Sequence, residues 1–509
     1  MKKLATLLIT ATALTASSAF AQEAGLDKIN HVVVIYAENR SFDSLYGLFP
    51  GADGMQNLTP AQTLQVDRDG KPLSSLPPAW GGLTSKGVTP AITEDQTKGL
   101  APHPYRVDDP KGFNLAPNIA TRDLWHKFYQ EQMQIDGGKN DKFAAWADGG
   151  GASMGYYDGS SLPLWKVAQK YVLADHFFLA AFGGSFLNHF YLVCACVPTY
   201  PDVANSVAKG SVAVLESDGV SLTEKAPSSA MDGPPKFVND GSISPDGYAI
   251  NTMSPPYQPA YVKSVPGGDP ALADPNNPFT LPPQKLTSIG DLLNAKNISW
   301  AWYAGAWNEA MKEVEAGKGF TSPVPDFQAH HQPFNYMVNY APGMPARAEH
   351  LRDGGLGGDA LIADIDAGKL PAVTFYKPQG NLNEHTGYTD IASGDAHIAD
   401  VISHLEKSPQ WKDMIVVVTY DENGGWWDHV APPKADRWGP GNRVPTLIIS
   451  PYAKMGTVDH TQYDTTSILR FITNRWQLPQ LPGLKLRDDA MKANGTGTIG
   501  DLTGALNLQ

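Results

Sequence analysis

Between Asn30 and Asn39 the chain reads NHVVVIYAEN: Val32–Ile35 leave no polar face, and the run stops at Glu38 and Asn39. A strand with no polar face is buried on both sides, as in the middle of a parallel sheet. The pattern returns in PAVTFY (371–376) and MIVVVTY (414–420), and between them Ile398, Val401, Ile402 and Leu405 recur at helical spacing. Strand, helix and strand at these lengths predict a right-handed crossover joining parallel strands. Shorter strands are expected at 171–174, 298–303 and 445–450. Helices are expected from Ser161, over Ser288–Ala295 and over 465–475, and an amphipathic segment beginning at Asp123 (Leu124, Phe128, Met133) stops at Gly137-Gly138. The alternation predicts an α/β fold of three layers around a mostly parallel sheet. Two stretches near 50–118 and 198–285 break the pattern, being rich in Pro and Gly; they read as long excursions from one elaborated domain covering 22–509.

The segment Ala180–Val193, AAFGGSFLNHFYLV, places Ser185 after two glycines and before an apolar run at helical spacing. This is a sharp turn feeding a buried helix, with Ser185 at its N-cap or first turn, where free N–H groups and the helix dipole attract an anion. Parallel strands open their C-terminal ends on one edge, where α/β enzymes bind ligands. There VVVIY ends in Glu38-Asn39 and VVVTY ends in Asp421-Glu422-Asn423-Gly424-Gly425. Taken singly, Gly-Gly-Ser is a capping serine and DENGG is turn chemistry. Together the converging carboxylates call for a positive charge between them, and a divalent cation with oxygen ligands is the natural occupant.

Composition narrows the setting. The chain begins MKKLATLLITATALTASSAFA, a secretory signal with cleavage expected after Ala21 and an apolar run too short for a membrane anchor. Lys2-Lys3 stands where a twin-arginine signal carries two arginines. A periplasmic or secreted protein without a stable membrane anchor is therefore expected. Losing Lys2 and Lys3, with no acid removed, takes the formal charge from −13 to −15, which argues against nucleic-acid binding. Cys194 and Cys196, the only cysteines, are one residue apart in an expected helix, poor geometry for a disulfide, so they read as packing residues. Several of the 13 histidines, His126, His330, His331 and His385 among them, lie outside apolar periodicity; a phosphate beside one metal still needs donors and a proton source.

The motifs in order are HVVVIYAENRSFDSLYG (31–47), WHKFYQEQMQIDGGKNDKF (125–143), FGGSFLNHFYL (182–192), DGYAINT (246–252), HHQPF (330–334), NEHTGYTDIASGDAHIAD (383–400) and TYDENGGWWDHVAPP (419–433). In this order and over nearly the whole mature chain, the sequence resembles the acid phosphatase/phospholipase C phosphoesterases of the wider alkaline-phosphatase-like group. The resemblance implies one divalent metal held by Glu38, Asn39, Asp421 and Glu422, with Ser185 as both nucleophile and ligand. It places His126, His330, His331 and His385 around the phosphate, and Asn251 as a substrate contact. Oxygen donors suit Mg, Ca or Mn, and Fe or Zn also fit. His189 reads as structural, and His429 is left without a role.

Acid-phosphatase-like members often carry Asp-Asp where this chain has Asp421-Glu422, the pair that phospholipase-like members commonly carry. Phospholipase-like members usually have a twin-arginine signal and C-terminal β domains, neither of which is found here. The expectation is therefore an acid phosphatase acting on small phosphomonoesters through a phosphoserine, with a phospholipase C acting on phosphatidylcholine-like lipids as the alternative. Its optimum is expected on the acid side, because unperturbed histidine titrates near about 6.5. Two other classes remain: a phosphate-binding protein without turnover, and a glycosidase using paired carboxylates with Trp426-Trp427 as a sugar platform.

Overall fold

The computed structural model describes residues 25–317 and 326–508. The expected signal segment lies outside them. Eight strands form the central sheet: β1 (His31–Ala37), β2 (Val172–Ala174), β3 (Trp300–Gly305), β4 (Leu351–Gly355), β5 (Val373–Lys377), β6 (Met414–Tyr420), β7 (Thr446–Ile449) and β8 (Thr457–Asp459). Their order is β8-β2-β7-β6-β1-β5-β3-β4. Pairing is parallel except at β7, which runs antiparallel to β6 and β2. The sheet is thus mostly parallel, as the apolar runs imply, and β1 and β6 sit at its centre with nearly every residue buried.

Register fixes where the polar ends emerge. His31 pairs with Met414 and each following residue in step, to Ala37 with Tyr420. Glu38-Asn39 and Asp421-Glu422 therefore leave the sheet side by side. On the opposite flank of β1, Ile35 pairs with Tyr376, which brings Lys377 to the same edge.

Helices cover both faces. On one side α3 (Pro163–Lys170), α6 (Asp359–Asp366) and α7 (Ile391–Lys407) pack together; on the other, α4 (Ser185–Cys194) packs with α5 (Ile289–Ala295) and α8 (Thr466–Trp476). Asp390 caps α7 by accepting from the Ser393 N–H at 2.8 Å, and Ser288 and Asp291 form a capping box on α5. Short α1 (Phe42–Tyr46) follows β1, and α2 (Phe128–Ile135) and α9 (Pro482–Asn494) are among the remaining helices.

Two local expectations change, and one helix is added. The amphipathic segment from Asp123 becomes helical only at Phe128, because Lys127 is extended and acts as the cap. After α8 a further helix, α9, follows that the apolar pattern does not mark, anchored by buried Arg487 on Asp464, Asp436 and the Ala180 carbonyl. Cys194 and Cys196 form a disulfide with Cα atoms 5.1 Å apart. The helix ends at Cys194 and Ala195 turns left-handed (φ 49°), so Cys196 folds back instead of continuing the helical rise.

The two Pro/Gly-rich excursions contain short turns and strand pairs. The first is pinned by two small apolar clusters: Leu73 and Leu76 gather around Trp427, and Leu83, Ile92 and Leu115 around Trp426. Both tryptophans are 3% exposed. Neither offers a face to a sugar, so the glycosidase reading loses its platform.

Candidate active site

Ser185 is the first residue of α4, with extended Gly184 before it, so its hydroxyl sits where the helix leaves N–H groups without intrahelical partners. The two glycines are there for space. A Cβ on Gly183 (φ +88°) would meet the Phe128 nitrogen at 2.5 Å, and one on Gly184 would meet the His126 carbonyl oxygen at 2.8 Å. The turn thus lets the His126 strand of chain lie directly on the serine.

The Ser185 hydroxyl donates to Glu38 Oε2 at 3.0 Å. Glu38 Oε1 takes an ion pair from Lys377 and lies 3.3 Å from His331 Nδ1. His126 Nε2 lies 3.5 Å from Glu422 Oε1, and its Nδ1 lies 2.6 Å from the Leu124 carbonyl, which fixes the ring. His385 Nε2 is 3.4 Å from Asn39 Nδ2, and its ring is 6.0 Å from that of His126. Asn39 adopts φ 58°, a left-handed conformation that asparagine tolerates, and its N–H donates to Asp421 Oδ1 at 3.2 Å. Gly424 packs against it, and a Cβ there would come within 2.5 Å of the Asn39 oxygen.

His330 is one step removed. Its ring is 4.2 Å from that of His331, and its Nδ1 lies 2.5 Å from the Tyr261 hydroxyl. Asn251 lines a cavity of about 230 Å³ with Trp125, His126, Lys127 and Gly184. Its amide is committed to the backbone, accepting from the Phe128 N–H and donating to the Gly241 carbonyl, both at 3.0 Å. The structure therefore brings Ser185, Glu38, Asn39, Asp421, Glu422, His126, His331 and His385 together, with His330 behind His331 and Asn251 on the cavity wall.

These donors fit a hard or borderline cation. Oxygens of Glu38, Asp421 and Glu422 lie within 4.8 Å of one another. Asn39 Oδ1, Asp421 Oδ2 and Glu422 Oε1 are buried with no hydrogen-bond partner, an unstable arrangement unless something positive joins them. Burial and the neighbouring Asp421 charge push the Glu38 and Glu422 carboxyls well above the usual carboxylate range. Burial likewise pushes the His330, His331 and His385 imidazoles down.

A family model for the phosphoesterase family matches residues 29–479. The chain belongs to the phosphoesterase family. Among its curated relatives, phospholipase C B of Mycobacterium tuberculosis is 24% identical over 518 residues, 95% of this chain and 78% of that protein. Non-specific phospholipase C1 of Arabidopsis thaliana is 36% identical over 141 residues, 21% of this chain and 26% of that protein. Among solved structures, an alkaline phosphatase superfamily protein from Vibrio parahaemolyticus overlaps 74% of this chain and 67% of its own, with 11% identity and a TM-score of 0.29. As a member of the phosphoesterase family, the chain is a hydrolase of phosphate esters.

Within this phosphoesterase, sequence reading passed over three residues of the site. Lys377 is 1% exposed and supplies the only ammonium that any described contact places on Glu38. Its signal was a lysine ending the apolar strand VTFYK. Glu131 holds the turn before Ser185: its carboxylate accepts from the Gly183 N–H and from the Asn442 N–H, the latter at 3.1 Å. Glu131 sits inside an ordinary helical pattern, and no sequence signal marks it. Tyr261 lies in the second excursion, where no periodicity points to it. His189 is tied to the Ser185 carbonyl at 2.7 Å and stacks on His331 at 4.9 Å, so it buttresses the turn. His429 belongs elsewhere, pairing with Asp43 at 2.6 Å beside Arg443.

Proposed function

We propose that the protein is an exported, metal-dependent phosphatase that hydrolyses phosphomonoesters through a phosphoserine at Ser185. The carrying observation is the Ser185 hydroxyl, placed at a helix N-terminus and 3.0 Å from a carboxylate of the converging cluster. A divalent cation held by Glu38, Asn39, Asp421 and Glu422 would neutralise the phosphoryl charge and acidify the adjacent hydroxyl. The chain's own groups do the rest. Ser185 Oγ attacks phosphorus, the α4 N–H groups and His126 face the phosphoryl oxygens, and His385 or the His330–His331 pair protonates the departing alcohol. Water then cleaves the phosphoserine. Donation requires the charged imidazole, and burial lowers the His330, His331 and His385 imidazoles, so activity is expected to fall as pH rises, beginning below the range in which a free histidine titrates.

A monoester preference draws support from what covers the aromatic rings. Recognition of choline favours a cage of free aromatic faces. Trp426 and Trp427 are buried in apolar clusters, Tyr388 stacks on His385 at 4.4 Å, and Lys127 Nζ already lies 4.9 Å over the Trp125 ring. The second reading, a phospholipase C, is favoured by the names of the curated relatives. Incubating the purified enzyme with a phosphomonoester and separately with phosphatidylcholine separates them. Inorganic phosphate from the first and little phosphocholine from the second is expected; fast phosphocholine release with weak monoester turnover favours the second reading.

A further inference from the structure

The same sheet edge carries another cluster at its β8–β2 end. Val458 pairs with Leu173 and Asp459 with Ala174, so the next residues, His460 and Asp175, emerge side by side as Glu38 and Asp421 do at the centre. His460 Nδ1 lies 2.8 and 3.0 Å from the two oxygens of Asp175, and His176 Nδ1 lies 2.9 Å from Oδ1. One ligand atom from each of the three lies within 4.8 Å of the other two.

The surroundings are built around these three residues. Asp175 is fully buried, and Asp53, from the turn after α1, donates its N–H to Asp175 Oδ2 at 2.7 Å. The Asp53 carboxylate then lies 3.3 Å from the far nitrogen of His176, fixing that ring by its second nitrogen. Buried Arg443 donates to the carbonyls of both Asp53 and Asp175 at 2.8 Å, which sets the two turns against each other. The His460 side chain is 59% exposed, so the cluster opens to solvent.

Two imidazoles turned by the same nitrogen onto one buried carboxylate form an N,N,O donor set. A carboxylate on the outer nitrogen of a ligating histidine is the usual support for it. We propose that Asp175, His176 and His460 bind a second divalent cation of the zinc class, apart from the Ser185 centre, with water in the fourth position. Imidazole with carboxylate suits zinc better than magnesium or calcium, which favour all-oxygen shells. No residue is shared with the catalytic set, so the cation ties the 50–54 turn, the end of β2 and the loop after β8 together and takes no part in turnover.

The test uses the purified enzyme with its active-site metal in place, dialysed against zinc chloride and then against metal-free buffer. Zinc is counted by elemental analysis in wild type, His460→Ala and the His176→Ala/His460→Ala pair. Wild type is expected to hold about one more zinc per chain than either variant. Its melting temperature should rise with zinc more than theirs, with phosphoester hydrolysis unchanged. The same difference should persist in an Asp421→Asn background, which separates this site from the catalytic one. Should the double variant fail to fold, His460→Ala alone decides, its side chain being mostly exposed. Equal zinc counts and equal zinc-dependent melting in wild type and His460→Ala would overturn the proposal and leave the cluster an ion-pair clasp.

Discussion

Lys377 reaches Glu38 from the end of β5, and both side chains are essentially buried. Removing one partner of a buried pair leaves an uncompensated charge, which costs about 3–5 kcal/mol. Lys377→Met should therefore destabilise the chelator-treated protein by that order in a denaturant titration, and Glu38→Gln added to it should recover part of the loss. Glu131 gives a pH signature. Burial lifts its carboxyl from the ordinary 4.5 to about 7, despite the two N–H groups it accepts. Between those values the folded protein keeps a proton that the unfolded chain has released, so this group's contribution to stability falls as pH rises from 4.5 to about 7 and is flat above. The shift corresponds to about 3 kcal/mol. Denaturation midpoints across that range should decline less steeply in Glu131→Gln than in wild type, and parallel profiles would remove Glu131 as the cause.

At the scale of elements, the turn before Ser185 depends on contacts more than on propensity. Gly184→Ala would press a methyl group against His126, the residue that faces Glu422. A displacement of about 1 Å at a reacting group costs on the order of 100-fold in rate. Gly184→Ala is expected to lose turnover on that scale while its circular dichroism stays native. Near-normal turnover would show that the Ser185–His126 spacing is not critical. The central elements were legible because β1, β5 and β6 are unbroken apolar runs and α7 is long and strongly periodic. Helix α9 was not: PGLKLRDDAMKAN mixes charged residues with few large apolar ones, and it is held by an arginine buried on two aspartates, an interaction no hydrophobic pattern displays. The Cys194–Cys196 disulfide escaped for a similar reason, since it depends on one left-handed residue that ends the helix. In the site, the strand-end carboxylates were readable from their places after apolar runs, and Ser185 from its place between two glycines and a helical apolar run. Assigning the four histidines needed the resemblance to a family as well, and Lys377, Glu131 and Tyr261 acquire meaning only through contacts distant in sequence.

At the scale of the whole molecule, the central sheet, helix α4 and the first excursion meet at one edge. Trp426 and Trp427 lie within the site motif yet anchor residues 73–115. The carboxylate cluster should make the assembly depend on its cation. Exhaustive chelation is expected to abolish activity and lower the melting temperature together, and adding back a divalent ion should restore both; an active preparation proven metal-free would contradict this. The proposed covalent role of Ser185 can be tested by quenching the enzyme in acid during turnover of a phosphomonoester and mapping phosphate by mass spectrometry. Phosphate is expected on Ser185, and in Ser185→Ala no label there and turnover several orders of magnitude lower, as for loss of other nucleophiles. An unlabelled Ser185 in wild type, with near-normal activity in Ser185→Ala, would contradict it.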